Sequence, residues 1–91
     1  LSDPVFLLIV LARQDGDARL GMAISRRHAR TAVERNRIKR LVREAFRLHR
    51  ASLPPVDIVV MLRGPTAGTA RVVLREGLMR LFGLLEERNP D

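Results

Sequence analysis

Hydrophobic positions along the chain follow two different periods. From Val5 to Ala12 the sequence reads VFLLIVLA, a continuous apolar run that predicts a strand buried on both faces. A polar segment, RQDGDA, separates it from RLGMAIS, which predicts a second strand. A Gly-containing connection of that length predicts an antiparallel hairpin. In the second strand Gly21, Ala23 and Ser25 alternate with Leu20, Met22 and Ile24, so one face carries small residues. Such a face suits either a close approach to the backbone or a bulky helix opposite.

The period then lengthens to that of a helix. With residues placed at about 100° intervals, Leu41, Val42 and Ala45 fall within about 60° of Ile38, and Leu48 and Phe46 lie at the edges. TAVE supplies the start: Thr31 can cap, and Glu34 can reach back to it, its charge favoured by the helix dipole. The helix is expected to run to about Arg50, because SLPP ends helical geometry. VDIVVMLR predicts a third strand, and after GPTAG a last helix is expected from about Thr69 to Glu87. That helix buries Val73, Leu74, Leu78, Leu81, Phe82 and Leu85 and leaves Arg71, Arg75, Glu76 and Arg80 outside. The order ββαβα predicts an α+β fold, a two-layer α/β sandwich. The second and third strands, joined through a helix, can pair in parallel with the right-handed crossover that is the default.

Length and composition narrow the class. Ninety-one residues suit one small domain spanning 1–91. The chain has no Cys, which excludes a disulfide framework and a Cys-based zinc site. Its longest apolar run falls far short of the ~20 residues of a membrane span, and no secretory leader pattern precedes it. A soluble cytoplasmic protein with no membrane partner is expected. The charge is concentrated: between Arg26 and Arg50 lie ten of the seventeen basic residues against two acids, Glu34 and Glu44, a local net of +8. The remaining positions carry seven basic and eight acidic residues, so the net +7 of the whole chain comes from this one segment. A patch of that kind in a near-neutral remainder is the footprint of a phosphate-binding surface.

Helical phasing gives the patch a shape. Asn36, Arg40, Arg43, Arg47 and Arg50 lie within about 40° of one direction, opposite the apolar seam; Lys39 is beside them, Arg37 further round, and Arg35 on the apolar boundary. A helix needs a polar face in any fold, but an ordinary one intersperses Glu with Lys for pairing. Here Arg40, Arg43, Arg47 and Arg50 repel at spacings of three and four, with Glu44 the only mid-helix acid. A polyanion supplies the missing counter-charge: guanidinium groups hold phosphate oxygens bidentately, and Asn36 can read a sugar hydroxyl or a base edge.

The string SRRHARTAVERNRIKRLVREAFR, preceded by RLGMAIS and followed by DIVVMLR, resembles the protein component of bacterial ribonuclease P, marked by an R-N-R run with further basic residues on the same helix. The resemblance extends from Phe6 to about Met61. It implies a subunit that binds a large catalytic RNA, the two together removing the 5′ leader of precursor tRNA by phosphodiester hydrolysis. The RNA partner performs the chemistry with Mg²⁺ that it mainly holds itself, and the protein alone binds no cofactor. By position the resemblance assigns RNA contact to Arg35, Asn36, Arg37, Lys39, Arg40, Arg43 and Arg47, with Arg26 and Arg27 as the paired basic residues after the second strand. It nominates Phe6 for a leader cleft on the sheet, where an aromatic ring stacks on a base; core packing is an equal reading of Phe6. It further implies a left-handed βαβ crossover in place of the default. Family members carry an N-terminal helix and short strand ahead of the position of Leu1, so an exposed sheet face and an incomplete cleft are expected here.

Protein-borne catalysis finds no residues to carry it. His28 and His49 stand at no metal-ligand spacing, Asp57 reads as a turn acceptor, and GPTAG lacks the Lys of a phosphate-cradling loop. The alternative is a structural or ribosomal RNA-binding protein using the same helix. A DNA-binding module lacks the short partner helix that would precede the basic one. A membrane-surface role would need an apolar face that the sheet already takes.

Overall fold

A computed structural model describes residues 1–88. The last three positions of the expected single domain lie outside the described residues. The elements run β1 (Phe6–Ala12), β2 (Arg19–Ala23), α1 (Ala32–His49), a 3₁₀ turn (Arg50–Ser52), β3 (Val56–Leu62) and α2 (Arg71–Glu87). This is the expected α+β order, but the strands are paired differently. The sheet order is β1-β3-β2, with β1 antiparallel and β2 parallel to β3.

The expected hairpin is therefore corrected. β1 and β2 do run in opposite directions, yet β3 lies between them and takes the hydrogen bonds of both. Loop length does not distinguish the two arrangements: Arg13–Ala18, extended, spans roughly 20 Å, while two strand spacings need only about 10 Å. What decides is the character of the strands. β3 alternates without a break, with Val56, Ile58, Val60 and Leu62 buried and Asp57, Val59 and Met61 half-buried, as a central strand requires. β2, with Gly21 inside it and exposed Arg19 and Ala23 at its ends, takes an edge. The crossing loop is anchored by the Arg13 N–H, which donates to the Pro55 carbonyl at 2.8 Å, and turns at Gly16, whose φ of +90° suits glycine.

Both helices lie on the inner sheet face. Phe6 and Leu8 of β1 and the buried residues of β3 join Ile38, Leu41, Val42 and Ala45 of α1 and Leu74, Leu78, Leu81, Phe82 and Leu85 of α2 in one core. The α1 seam is the one its periodicity predicts. Burying each of the larger side chains is worth about 1.5–3 kcal/mol. α2 starts two residues later than expected and buries Gly77 in place of Val73, which is 56% exposed. The seam through 74, 77, 78, 81, 82 and 85 turns Val73 away from the sheet. Between the helices, His49 stacks on Phe82 with ring centroids 5.8 Å apart, and Phe46 meets Phe82 edge-on at 6.2 Å.

The expectation that β1 is buried on both faces fails on one side. Its outer-face residues Ile9 and Leu11 are 42% and 62% exposed, and neither helix covers them. The chain before β1 folds back along it: the Leu1 ammonium donates to the Leu8 carbonyl, and the Leu8 N–H donates to that of Leu1. Asp3 caps the turn by accepting from the Val5 and Phe6 N–H groups at 2.8 and 2.6 Å.

Gly64, just after β3, lies directly against the Pro4 carbonyl oxygen, where a Cβ has no room and the obstacle is backbone. Gly64→Ala is expected to cost roughly 1–3 kcal/mol. Gly83→Ala in α2, facing open space, is expected to add about 0.5–1 kcal/mol. Urea midpoints of the two variants check both signs.

Candidate nucleic-acid interface

α1 begins as its sequence suggests, with one difference. The Thr31 hydroxyl accepts from the Glu34 N–H at 3.1 Å, but the Glu34 carboxylate does not complete a reciprocal capping box. It turns outward from the cap to accept the Thr66 hydroxyl at 2.8 Å and the Arg37 guanidinium at 2.7 Å. Thr66, in the loop leading to α2, is fully buried, and its N–H donates to the His28 carbonyl at 3.1 Å. One small polar cluster thus joins the loop before α1, the first turn of α1 and the loop before α2. The Thr66 hydroxyl, followed by the Arg37 guanidinium, holds the Glu34 carboxyl below the usual carboxylate range.

Arg35, expected on the apolar boundary, points back from the helix. Its Nη1 donates to the carbonyls of Ala29 and Arg30 at 3.0 and 3.1 Å, tying down the loop that carries Arg26, Arg27 and Arg30. Those three are exposed. Along the outer face Asn36, Arg40, Arg43 and Arg47 are exposed and Lys39 is half-buried. Arg40 reaches only the Asn36 carbonyl, at a long 3.5 Å. Among the described residues, the side chains of Arg26, Arg27, Lys39, Arg43 and Arg47 have no ion-pair partner. Arg50, at the end of the stripe, stands 3.6 Å from Asp17. Of the positions nominated from the sequence, Arg26, Arg27, Asn36, Arg40, Arg43 and Arg47 are exposed, Arg35, Arg37 and Lys39 are half-buried, and Phe6 is buried.

Phe6 requires a correction. It has no exposed surface and lies on the inner face of the sheet, under the helices, so its ring has no free side for a base. Antiparallel pairing places Phe6 opposite Leu62, which puts it in the core row. Asp57 is also corrected: it belongs to β3 itself, paired bidentately with Arg19 of β2 at 2.7 and 2.9 Å, with Arg13 at 3.7 Å. The hydrogen bond from Arg19 holds its carboxyl below the ordinary range. His49 is a packing residue, its Nδ1 at 2.8 Å from the Ala45 carbonyl.

Two arginines were missed in their relation to this surface. Arg71 and Arg75 of α2 reach across to Glu44 of α1 at 3.8 and 3.6 Å, which brings the first turns of α2 against the basic helix. Sequence places them only on the outside of their own helix; the pairing of the two helices brings them here. Glu34 and Glu44, the acids of the basic segment, are thus engaged by Thr66 and by arginines. Among the described residues no group of three or more His or acidic side chains could hold a metal ion. None of their helices is long and apolar enough to cross a membrane.

The family model of ribonuclease P matches residues 1–86. The chain belongs to the ribonuclease P protein family. It is 51% identical over 85 residues to the ribonuclease P protein component of Thioalkalivibrio sulfidiphilus, covering 93% of this chain and 71% of that protein. It is 49% identical over 83 residues to that of Methylococcus capsulatus, covering 89% of this chain and 65% of that one. Among solved structures, the RNase P protein of Staphylococcus aureus superposes with a TM-score of 0.81 at 27% identity, covering 92% of this chain and 77% of the other. That of Thermotoga maritima gives 0.75 at 29% identity, covering 96% and 80%. In this ribonuclease P family member the R-N-R run is Arg35, Asn36 and Arg37, of which only Asn36 is exposed and the two arginines are half-buried.

The cluster around Glu34 sets an acid limit. A carboxyl lowered in the folded state contributes stability that is complete above its unfolded value, about 4.3, and is lost as pH falls through the lower folded value. Thr66→Val is expected to cost roughly 1–2 kcal/mol near neutral pH, because it removes a hydrogen bond to a charged group. The difference from the wild type should shrink as Glu34 protonates. Denaturant midpoints compared at about pH 7 and about pH 3 measure it.

Proposed function

We propose that this chain is the protein subunit of a ribonuclease P ribonucleoprotein, which binds the catalytic RNA and assists removal of the 5′ leader from precursor tRNA. The observation that carries this reading is the exposed, largely unpaired stripe of Asn36, Arg40, Arg43 and Arg47 along α1 in a chain of this family. Phosphates of a folded RNA would replace the counter-charge that the helix itself lacks, and the released counterions would drive binding. Arg26, Arg27, Arg37 and Lys39 extend the contact to either side of the stripe. Arg35 acts by holding the loop that presents Arg26 and Arg27.

In this reading the protein neutralises and positions, and hydrolysis belongs to the RNA. Mg²⁺ is assigned to the RNA partner because the two acids near the basic face are already engaged and leave no oxygen cluster for it. The leader is assigned to the open sheet face, which carries exposed Ile9 and Leu11 on β1 and, across β3, the small Gly21 on β2. A single strand can lie close to the backbone there. The cytoplasm, where precursor tRNA is made, is the compartment this function requires.

A structural or ribosomal RNA-binding protein would use the same stripe without processing. Purified protein added to a bacterial ribonuclease P RNA at low Mg²⁺ should stimulate cleavage of precursor tRNA. Tight binding to ribosomal RNA with no stimulation would favour the alternative. Arg40→Ala and Arg43→Ala should each weaken binding to ribonuclease P RNA and lower the slope of log affinity against log salt by about one unit or less. Filter binding over a salt series measures both quantities.

A further inference from the structure

The basic surface continues off α1 into the cleft between the two helices. Arg37 and Arg40 from α1 and Arg71 from α2 line this cleft, a space of about 260 Å³, with Leu41 completing it. No carboxylate lines it. Three arginines from two helices therefore border one space, and none of them has all its guanidinium donors taken up. Arg37 uses Nη2 on Glu34, while its Nε is buried and has no hydrogen-bond partner. The Nε of Arg40 has only the distant Asn36 carbonyl. Arg71 stands 3.8 Å from Glu44, well beyond the roughly 2.7–2.9 Å of a charge-assisted hydrogen bond. A guanidinium carries five N–H donors, so this pair leaves Arg71 free to turn to a stronger acceptor.

The arrangement is costly without a ligand. Three cations share a cleft whose wall includes the buried side chain of Leu41, and a buried guanidinium N–H without an acceptor is a desolvated donor. A tetrahedral anion with several oxygens would satisfy all three at once. We propose that this cleft is a binding site for one backbone phosphate of the RNA, with Arg71 of α2 as a ligand alongside Arg37 and Arg40. The proposal rests on the RNA-binding reading above and adds a second helix to the contact. Glu44 serves as the resting counter-ion of Arg71 and Arg75, and the phosphate displaces it from Arg71.

The test uses the whole chain with a bacterial ribonuclease P RNA as probe, read by filter binding across a salt series. Arg71→Ala is expected to weaken binding three- to tenfold with a slope loss below one. Arg80→Ala, exposed on the opposite side of α2 about 180° away, is expected to bind as the wild type does. Arg71 is itself exposed, so the fold should survive its loss, and matched urea midpoints verify this. The double variant Arg40→Ala with Arg71→Ala distinguishes a shared phosphate from two separate ones. One shared phosphate predicts a total slope loss near 0.9, two independent phosphates about 1.8. Wild-type affinity and slope in Arg71→Ala, with Arg40→Ala still weakened, would overturn the cleft site and leave the RNA-binding reading standing. A slope loss near 1.8 in the double variant would overturn the shared site. Failure of the wild type to bind the RNA at all would overturn both.

Discussion

The structure depends on burial of the α1 seam against the inner face of the sheet. Arg40, Arg43, Arg47 and Arg50 repel one another at spacings that cost a few tenths of a kcal/mol per pair. An isolated helix with that sequence would be marginal. Ile38, Leu41, Val42 and Ala45 are all buried, and the larger of them contribute about 1.5–3 kcal/mol each. Burial therefore outweighs the repulsion several times over. The same geometry that buries the seam turns the arginines outward, so stability and the cationic surface are two faces of one constraint.

The second constraint is polar and local. Glu34 accepts from both Thr66 and Arg37, while Arg35 donates to the carbonyls of Ala29 and Arg30. The two arginines of the R-N-R run thus engage the protein, while Asn36 between them and the exposed positions further along α1 keep their side chains for a partner. Because Thr66 lies in the loop leading to α2, the cluster also fixes where α2 starts. Arg71 consequently lies beside Arg37 and Arg40.

The sheet has one closed and one open face. Its inner rows, including Phe6 and Leu62, close under the helices, while Ile9 and Leu11 remain in contact with solvent. On the open face the Arg19–Asp57 pair links β2 to β3 at matched register. It is largely exposed, and such pairs contribute little to stability. It does place a satisfied polar group at one end of an otherwise apolar surface.

Much of this was legible in the sequence, wherever local periodicity decides the outcome. The seam of α1, the phase of its cationic stripe, the Thr31 cap, the boundary position of Arg35 and the order of the elements all follow from spacing along one segment. The R-N-R run in its strand–helix–strand setting also sufficed to indicate the family. What the sequence could not decide depends on how distant segments meet. The inner or outer row of Phe6 depends on the register of β1 against β3, and the failed hairpin depends on which strand takes the centre of the sheet. The diversion of Glu34 to Thr66 and the approach of Arg71 to Glu44 of α1 join residues 32 and 27 positions apart. Periodicity reports which side of an element is apolar. Only tertiary packing determines what that side faces, because register, strand order and helix pairing are set by the burial of all the elements together.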